Sequence, residues 1–204
     1  MSVLDKSLDS KILASAKKEF LQNTFAKANL RKICEEAGVS TGAVYTRYQG
    51  KEGLFGELVK DTIIAFDEKI QSAKEIQPNQ NNIQMDKNNF PFFNNELIYL
   101  MDFIYQHYDG FRLLSCCAKG SKYDNFLHTF IEANTENIWD FLKNNATTYH
   151  YKLKVNKKEL HLMLTTFWTA IFEPISHEFS KDKALHYCEI ITNFFHWQAI
   201  LEMK

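Results

Sequence analysis

The chain has few of the residues that break helices: its 204 residues include only three prolines and seven glycines. Proline ends or kinks a helix and glycine weakens its interior, so their scarcity points to an all-α fold. So few glycines also leave no Gly-rich loop to cradle a nucleotide phosphate. The four cysteines, Cys34, Cys116, Cys117 and Cys188, are scattered through helical patterns. They match no zinc-ligand spacing, and the adjacent Cys116 and Cys117 do not bridge easily to each other, so reduced thiols are expected. No run of about 18 apolar residues exists, which excludes a helical membrane span. The stretch from Met1 to Lys6 offers no apolar leader region, so a cytoplasmic protein is the expectation.

With 45% apolar residues, the chain can bury a sizeable core in one large or two small domains. Its net charge of -1 conceals an asymmetry. Residues 1–60 hold ten Lys or Arg against seven Asp or Glu, a balance of +3, whereas residues 61–204 hold fourteen against eighteen, a balance of -4. A small basic head on an acidic body suits a polyanionic partner such as DNA, because phosphate neutralisation supplies most non-specific affinity.

The most informative segment is residues 38–55. Gly38 suits the left-handed position that ends a helix, and Ser40 is a good N-cap for the next. Thr41, Gly42 and Ala43 open that helix with small side chains, so its N-terminal end can approach a surface closely. Tyr45, Thr46 and Arg47 follow with a phenol, a hydroxyl and a guanidinium, which suit phosphates and base edges. Upstream, Ile12, Leu13, Ala16, Phe20 and Leu21 recur at helical spacing, and Leu30, Ile33, Cys34 and Ala37 make a short helix. Two helices joined by Gly38-Val39-Ser40 form a helix-turn-helix with its recognition helix over Thr41–Tyr48, held from inside by Val39 and Val44.

These residues resemble the N-terminal DNA-binding domain of the tetracycline-repressor (TetR) family of bacterial regulators. The likeness spans residues 12–59. It rests on Ile12-Leu13, Ala16, Phe20, Phe25, Leu30, Ile33 and Ala37-Gly38-Val39-Ser40, then on Gly42, Tyr45, Tyr48, Lys51-Glu52 and Leu54. Thr24 stands where the family usually has Gly, Ala28 replaces a frequent Thr, and Gly50 replaces a usual Ser or Asn. At Ala28 a hydroxyl that would meet a phosphate is lost, and Asn29 is its candidate substitute.

The resemblance implies about nine helices: a three-helix DNA-binding domain (1–56), then a helical effector-binding and dimerisation domain (57–204). It implies DNA contacts at Arg31, Ser40, Thr41, Gly42, Ala43, Tyr45, Thr46 and Arg47, with Lys51 at a backbone-phosphate position. Lys51 opens a helix, where the macrodipole disfavours a cation, so it needs another reason to be there, and a phosphate is a good one. A two-fold dimer would set two recognition helices about 34–36 Å apart, or a multiple of it, on a pseudo-palindromic double-stranded DNA operator. The last two helices, about 157–176 and 181–202, are apolar over more than one face and are the expected dimer contact.

The rest of the body reads as helices over Leu54 to about Ser72, 95–108, 110–117 and 122–146. Residues 76–95 break the pattern with Pro78, Pro91 and seven asparagines, and read as a long loop. Most aromatic residues lie beyond residue 89. Candidate walls of a pocket for a small apolar or aromatic effector are Tyr99, Phe103, Phe111, Leu114, Cys117, Phe126, Phe130, Phe167, Trp168 and Phe172, with His128, His161 and Tyr123 as polar handles. Each of these is also an ordinary core residue.

Two other classes compete. A thiol-sensing repressor would use Cys116 or Cys117, activated by Arg112, Lys119 or Lys122. A helical-bundle enzyme would need a metal or cofactor site. Glu173 and His177 share a helical face, but no second such pair accompanies them and Pro174 lies between. No cofactor, metal or catalytic residue is therefore expected, and the reading is a ligand-responsive regulator, with repression the expected sign.

Overall fold

The computed structural model describes residues 6–76, 95–148, 150–195 and 197–203. Nine α-helices run through these described residues: α1 (Lys6–Lys27), α2 (Leu30–Ala37), α3 (Thr41–Tyr48), α4 (Lys51–Ile76), α5 (Asn95–Gln106), α6 (Tyr108–Arg112), α7 (Phe126–Asn145), α8 (Lys157–Ser176) and α9 (Lys181–Phe194). A π-helical turn, Leu113–Cys117, continues α6, so the expected helix at 110–117 is a short α-helix that widens. Residues 77–94, nearly all of the expected loop, lie outside the described residues.

The chain divides into two compact units, the first of residues 1–74 and 107–125, the second of 75–106 and 126–204. The first unit is thus discontinuous in sequence and takes in α1 to α4 together with α6, the π turn and the segment that follows. Its centre is aromatic. Phe20 packs on Phe25 and Phe55 with ring centroids 5.9 and 5.1 Å away, and Phe25 meets Phe55 edge-on at 5.4 Å. Ile12, Ala16, Ile33, Val44 and Leu54 close around them at zero exposure. Tyr123, from the later segment, sets its ring 5.9 Å from Phe55. The same segment is bound to α1 and α4 by the Lys17–Asp109 ion pair and by a hydrogen bond from the Lys122 N–H to Glu52.

Two backbone details in this unit follow from side-chain size. Thr24 interrupts the helical path of α1 at φ 60°, ψ 165°, a region that all but excludes residues with a Cβ. This is the position at which the resemblance led one to expect glycine. Gly110 in α6 touches α4 so closely that a Cβ there would lie 1.9 Å from Thr62 Oγ1. No side chain fits without moving one of the helices.

The second unit packs α7 against α8, α8 against α9, and α5 against α9. Leu160, Leu164, Phe167, Ile171 and Ile175 run down the buried face of α8 at zero exposure. Asn156 and Glu159 form a reciprocal capping box at its start. The final helix is shorter than expected. Instead of running to residue 202, α9 ends at Phe194, where Phe195 turns extended (φ -83°, ψ 99°). A 3₁₀ turn (Trp197–Ile200) follows, and then strand β2 (Leu201–Met203) pairs antiparallel with β1 (Tyr151–Leu153). Trp197 and Ile200, which suggested continued helix, are buried by this reversal. Trp197 stacks on Phe195 at 5.5 Å and meets Phe167 edge-on at 5.3 Å, while Trp197 and Ile200 are only 4% and 3% exposed. Periodicity reported their burial correctly and their backbone wrongly.

Candidate nucleic-acid interface

The short helices α2 and α3 are fixed at each end by local chemistry. Asn29 caps α2 by accepting from the Arg31 N–H at 2.9 Å. Asn29 is thus a helix cap through its side-chain oxygen, and its amide nitrogen is the group that could meet a phosphate. Gly38, at φ 69°, closes the helix with its N–H on the Glu35 carbonyl at 3.2 Å, and the Val39 N–H reaches the Cys34 carbonyl at 2.9 Å. That pair of bonds is a Schellman motif, which leads directly into the turn. Ser40 then caps α3 by accepting from the Ala43 N–H at 3.2 Å.

The two faces of α3 differ sharply. Val44 is fully buried, whereas Thr41, Gly42, Tyr45 and Thr46 are exposed, Tyr45 at 59%. Ser40 and Arg31, the latter on the first turn of α2, are exposed as well, and Ala43 is half-buried. The structure therefore brings six of the expected contact residues out to solvent on α2, the turn and α3. The Tyr45 ring also covers Gly50, where a Cβ would meet Tyr45 Cε1 at 2.9 Å and where φ is +99°. A Ser or Asn at this position would have to displace that ring.

Two of the expected contacts point inward instead. The Arg47 side chain is only 14% exposed, and its Nη1 donates to Asp9 Oδ1 at 3.0 Å. The Tyr48 hydroxyl donates to the same oxygen at 3.0 Å. Burial first, then this hydrogen bond and the Asp9 charge, push the Tyr48 phenol up to about 12. Lys51 donates from Nζ to the carbonyls of Phe25 at 2.8 Å and Ala28 at 3.3 Å, with its ammonium 4.6 Å from the Phe25 ring centroid. These carbonyls close the end of α1, and the lysine that sits poorly at the start of α4 sits well there.

One buried charge was not singled out in the sequence. Glu19 is 3% exposed, accepts from the Asn29 N–H at 3.1 Å and pairs with Lys32 at 2.6 Å. Burial acts to raise its pKa, but the hydrogen bonds from Lys32 and Asn29 and the Lys32 charge outweigh it and hold the carboxyl below its ordinary range. Its acid lies on α1 and its partners on α2 and the turn before it, so only the tertiary fold assembles it.

The candidate effector residues are shared between the units. Phe111, Leu114 and Cys117 belong to the first and are buried there. In the second, Phe130, Phe167, Trp168 and Phe172 form one cluster, with Trp168 centred 4.9 Å from Phe130 and 5.3 Å from Phe167. Trp168 donates from Nε1 to Asn134 Oδ1 at 2.8 Å, and Phe172 lies 6.2 Å from Phe130. Phe103 and Phe126 are half-buried, and Tyr99 is 64% exposed. Of the polar handles, His161 meets Thr135 Oγ1 through Nδ1 at 3.2 Å, His128 pairs with Glu132 on the surface, and Tyr123 is part of the first unit's core wall.

The thiol-sensor reading finds no support. Burial pushes the Cys117 thiol up, and Arg112 offsets this only in part. Burial raises Cys188 further, to about 11, and raises Cys34 as well. A reactive thiol needs the opposite shift. Among the described residues no group of three or more His, Cys, Asp or Glu is placed to hold a metal. Glu173 and His177 lie 3.4 Å apart, both exposed. No described helix is long and apolar enough to cross a membrane.

The arrangement defines a predominantly helical protein with an N-terminal helix-turn-helix whose second helix presents a small, hydroxyl-rich face. Residues 12–58 match the family model of "Bacterial regulatory proteins, tetR family". Solved structures share the fold over nearly the whole chain. NalD of Pseudomonas aeruginosa, the secondary repressor of the MexAB-OprM multidrug efflux pump, is 15% identical with a TM-score of 0.56, covering 92% of this chain and 96% of its own. A TetR-like transcriptional regulator from Rhodococcus sp. RHA1 is 14% identical at a TM-score of 0.55, covering 97% and 98%. The transcriptional regulator FadR of Bacillus subtilis, solved with stearoyl-CoA, is 12% identical at a TM-score of 0.54, covering 89% and 96%. At these identities the likeness is one of fold. No curated protein matches the chain in sequence.

Proposed function

We propose that this protein is a cytoplasmic transcriptional repressor that binds a pseudo-palindromic operator as a homodimer and is released by a small apolar or aromatic effector. The observation that carries the DNA-binding part is the capped α2–turn–α3 unit, with Thr41, Gly42, Tyr45 and Thr46 exposed together on one short helix. Thr41, Gly42 and Ala43 are the base-edge contacts in this reading. Arg31, Ser40, Tyr45 and Thr46 hold the sugar-phosphate backbone. The protein acts by binding and catalyses no reaction.

Dimerisation through α8 and α9 is supported by the apolar residues they leave uncovered. Leu162 is 59% exposed, Ile190 52% and Phe194 80%. The apolar effector is supported by the aromatic cluster of the second unit and by the acyl ligand of the Bacillus subtilis FadR structure. An effector that favours the dimer geometry unable to span both half-sites would lower occupancy by a coupling of about 1–3 kcal/mol.

The test is fluorescence anisotropy of the purified protein with duplexes from upstream of its own gene, at two salt concentrations. Tight, salt-dependent binding to a palindromic segment, lost in Tyr45→Ala and Thr41→Ala, is the expected result. Weak binding indifferent to sequence for all duplexes would refute the reading for that region.

A further inference from the structure

We propose that Asp9 is a positioning residue for the recognition helix, latching its last turn through Arg47 and Tyr48, so that Arg47 orients α3 instead of contacting DNA. The inference rests on the DNA-binding reading above. Its basis is geometric. Residues 44, 47 and 48 share one face of a helix by their spacing of three and four, and Val44 on that face is fully buried. Thr41, Gly42, Tyr45 and Thr46 of the same helix are exposed. Arg47 and Tyr48 converge from the inner face on a single carboxylate oxygen, Asp9 Oδ1, each at 3.0 Å.

A helix of eight residues has little stability of its own. Ser40 holds its first turn and the Asp9 carboxylate its last, so the two ends of the reading face are fixed independently. The latch sits on the first turns of α1, ahead of the segment that matches the family model. Moving Arg47 out to a phosphate would leave the half-buried Asp9 carboxylate without its cation and close to the polyanion. A phosphate contact that drew Arg47 away from Asp9 would therefore break the latch.

The test compares Asp9→Ala, Asp9→Glu, Arg47→Ala, Tyr48→Phe and the Asp9→Ala/Arg47→Ala double variant, with operator and scrambled duplexes over a salt series. If Asp9 positions the helix, Asp9→Ala and Arg47→Ala each weaken operator binding about tenfold, the scale of a charged hydrogen bond. The double variant is then no weaker than the worse single. Binding to scrambled DNA and the salt slope stay unchanged, and Asp9→Glu and Tyr48→Phe lose less. If instead Arg47→Ala lowers the salt slope by about one and Asp9→Ala tightens binding, Arg47 is a phosphate donor and the proposal fails. Amide hydrogen exchange over residues 44–48, measured without DNA, reads the latch directly. Asp9→Ala must speed it, and unchanged exchange overturns the proposal even if no operator is found. A wild-type protein that binds no DNA, yet shows faster exchange in Asp9→Ala, would refute the regulator reading and leave the latch standing.

Discussion

Replacing Gly110 by alanine sets a local effect against a tertiary one of opposite sign. Within a helix the change is favourable by roughly 1 kcal/mol, because alanine has the better propensity. In this fold the new methyl would meet Thr62 Oγ1 at 1.9 Å, its Cβ at 2.7 Å and its Cγ2 at 3.0 Å. Ordinary contact begins near 3.4 Å. The buried threonine cannot withdraw into solvent, so α6 must shift away from α4. Overpacking of this kind costs typically about 1–3 kcal/mol and here lies at or above the upper end. A net loss of about 2 kcal/mol corresponds to a melting temperature lower by roughly 4–8 °C for a chain of this size. Thermal denaturation followed by circular dichroism measures it. Thr62→Ala removes the two outer atoms and leaves Cβ, so it should raise the melting temperature of Gly110→Ala by more than it shifts that of wild type, a departure from additivity. A Gly110→Ala protein that melts higher than wild type would mean that the helices are not in this contact, and the reasoning would fall.

Thr24→Gly should raise stability by about 1 kcal/mol or more, since glycine adopts φ 60°, ψ 165° without strain; a lower denaturation midpoint would contradict the assigned backbone. Phe55→Ala should cost about 3–5 kcal/mol, because a fully buried ring in contact with Phe20, Phe25 and Tyr123 would leave a cavity; urea titration reads it. Glu19 has a folded pKa below its ordinary value of about 4.5, so its stabilisation is present above that value and lost as pH falls through the lower one. The deficit of Glu19→Gln relative to wild type should accordingly shrink in melts below about pH 4.5, and a deficit independent of pH would exclude the Glu19–Lys32 pair as its source.

Local signals carried the helix-turn-helix well. Gly38 and Ser40 each act over three residues or fewer and form the helix end and the cap expected of them, whereas Asn29, also a cap, is legible in the sequence only as a substitute phosphate contact. The structure likewise supplied a strained backbone at Thr24, where only the comparison with a glycine pattern had drawn attention. What spacing could not convey was direction. Arg47 and Lys51 looked like exposed cations because Asp9 and the carbonyls of Phe25 and Ala28 lie 23 or more residues away in sequence. The end of α9 failed for a related reason: Trp197 and Ile200 are buried, and burial is the same signal whether the chain stays helical or folds back. The π turn had no local signature at all, since Leu-Leu-Ser-Cys-Cys reads as plain helix.

The discontinuity of the first unit has a consequence for synthesis. Residues 1–74 leave the ribosome well before 107–125, which supply Phe111, Leu113 and Leu114 to the unit's core and Tyr123 beside Phe55. At about 5–20 residues per second, the nascent head waits roughly 3–10 s for those side chains. During that interval the faces of α1 and α4 that they will cover are open to water and to chaperones. A gene truncated after the helix-turn-helix would make that interval permanent, yielding a fragment that keeps its reading face and lacks part of its own interior.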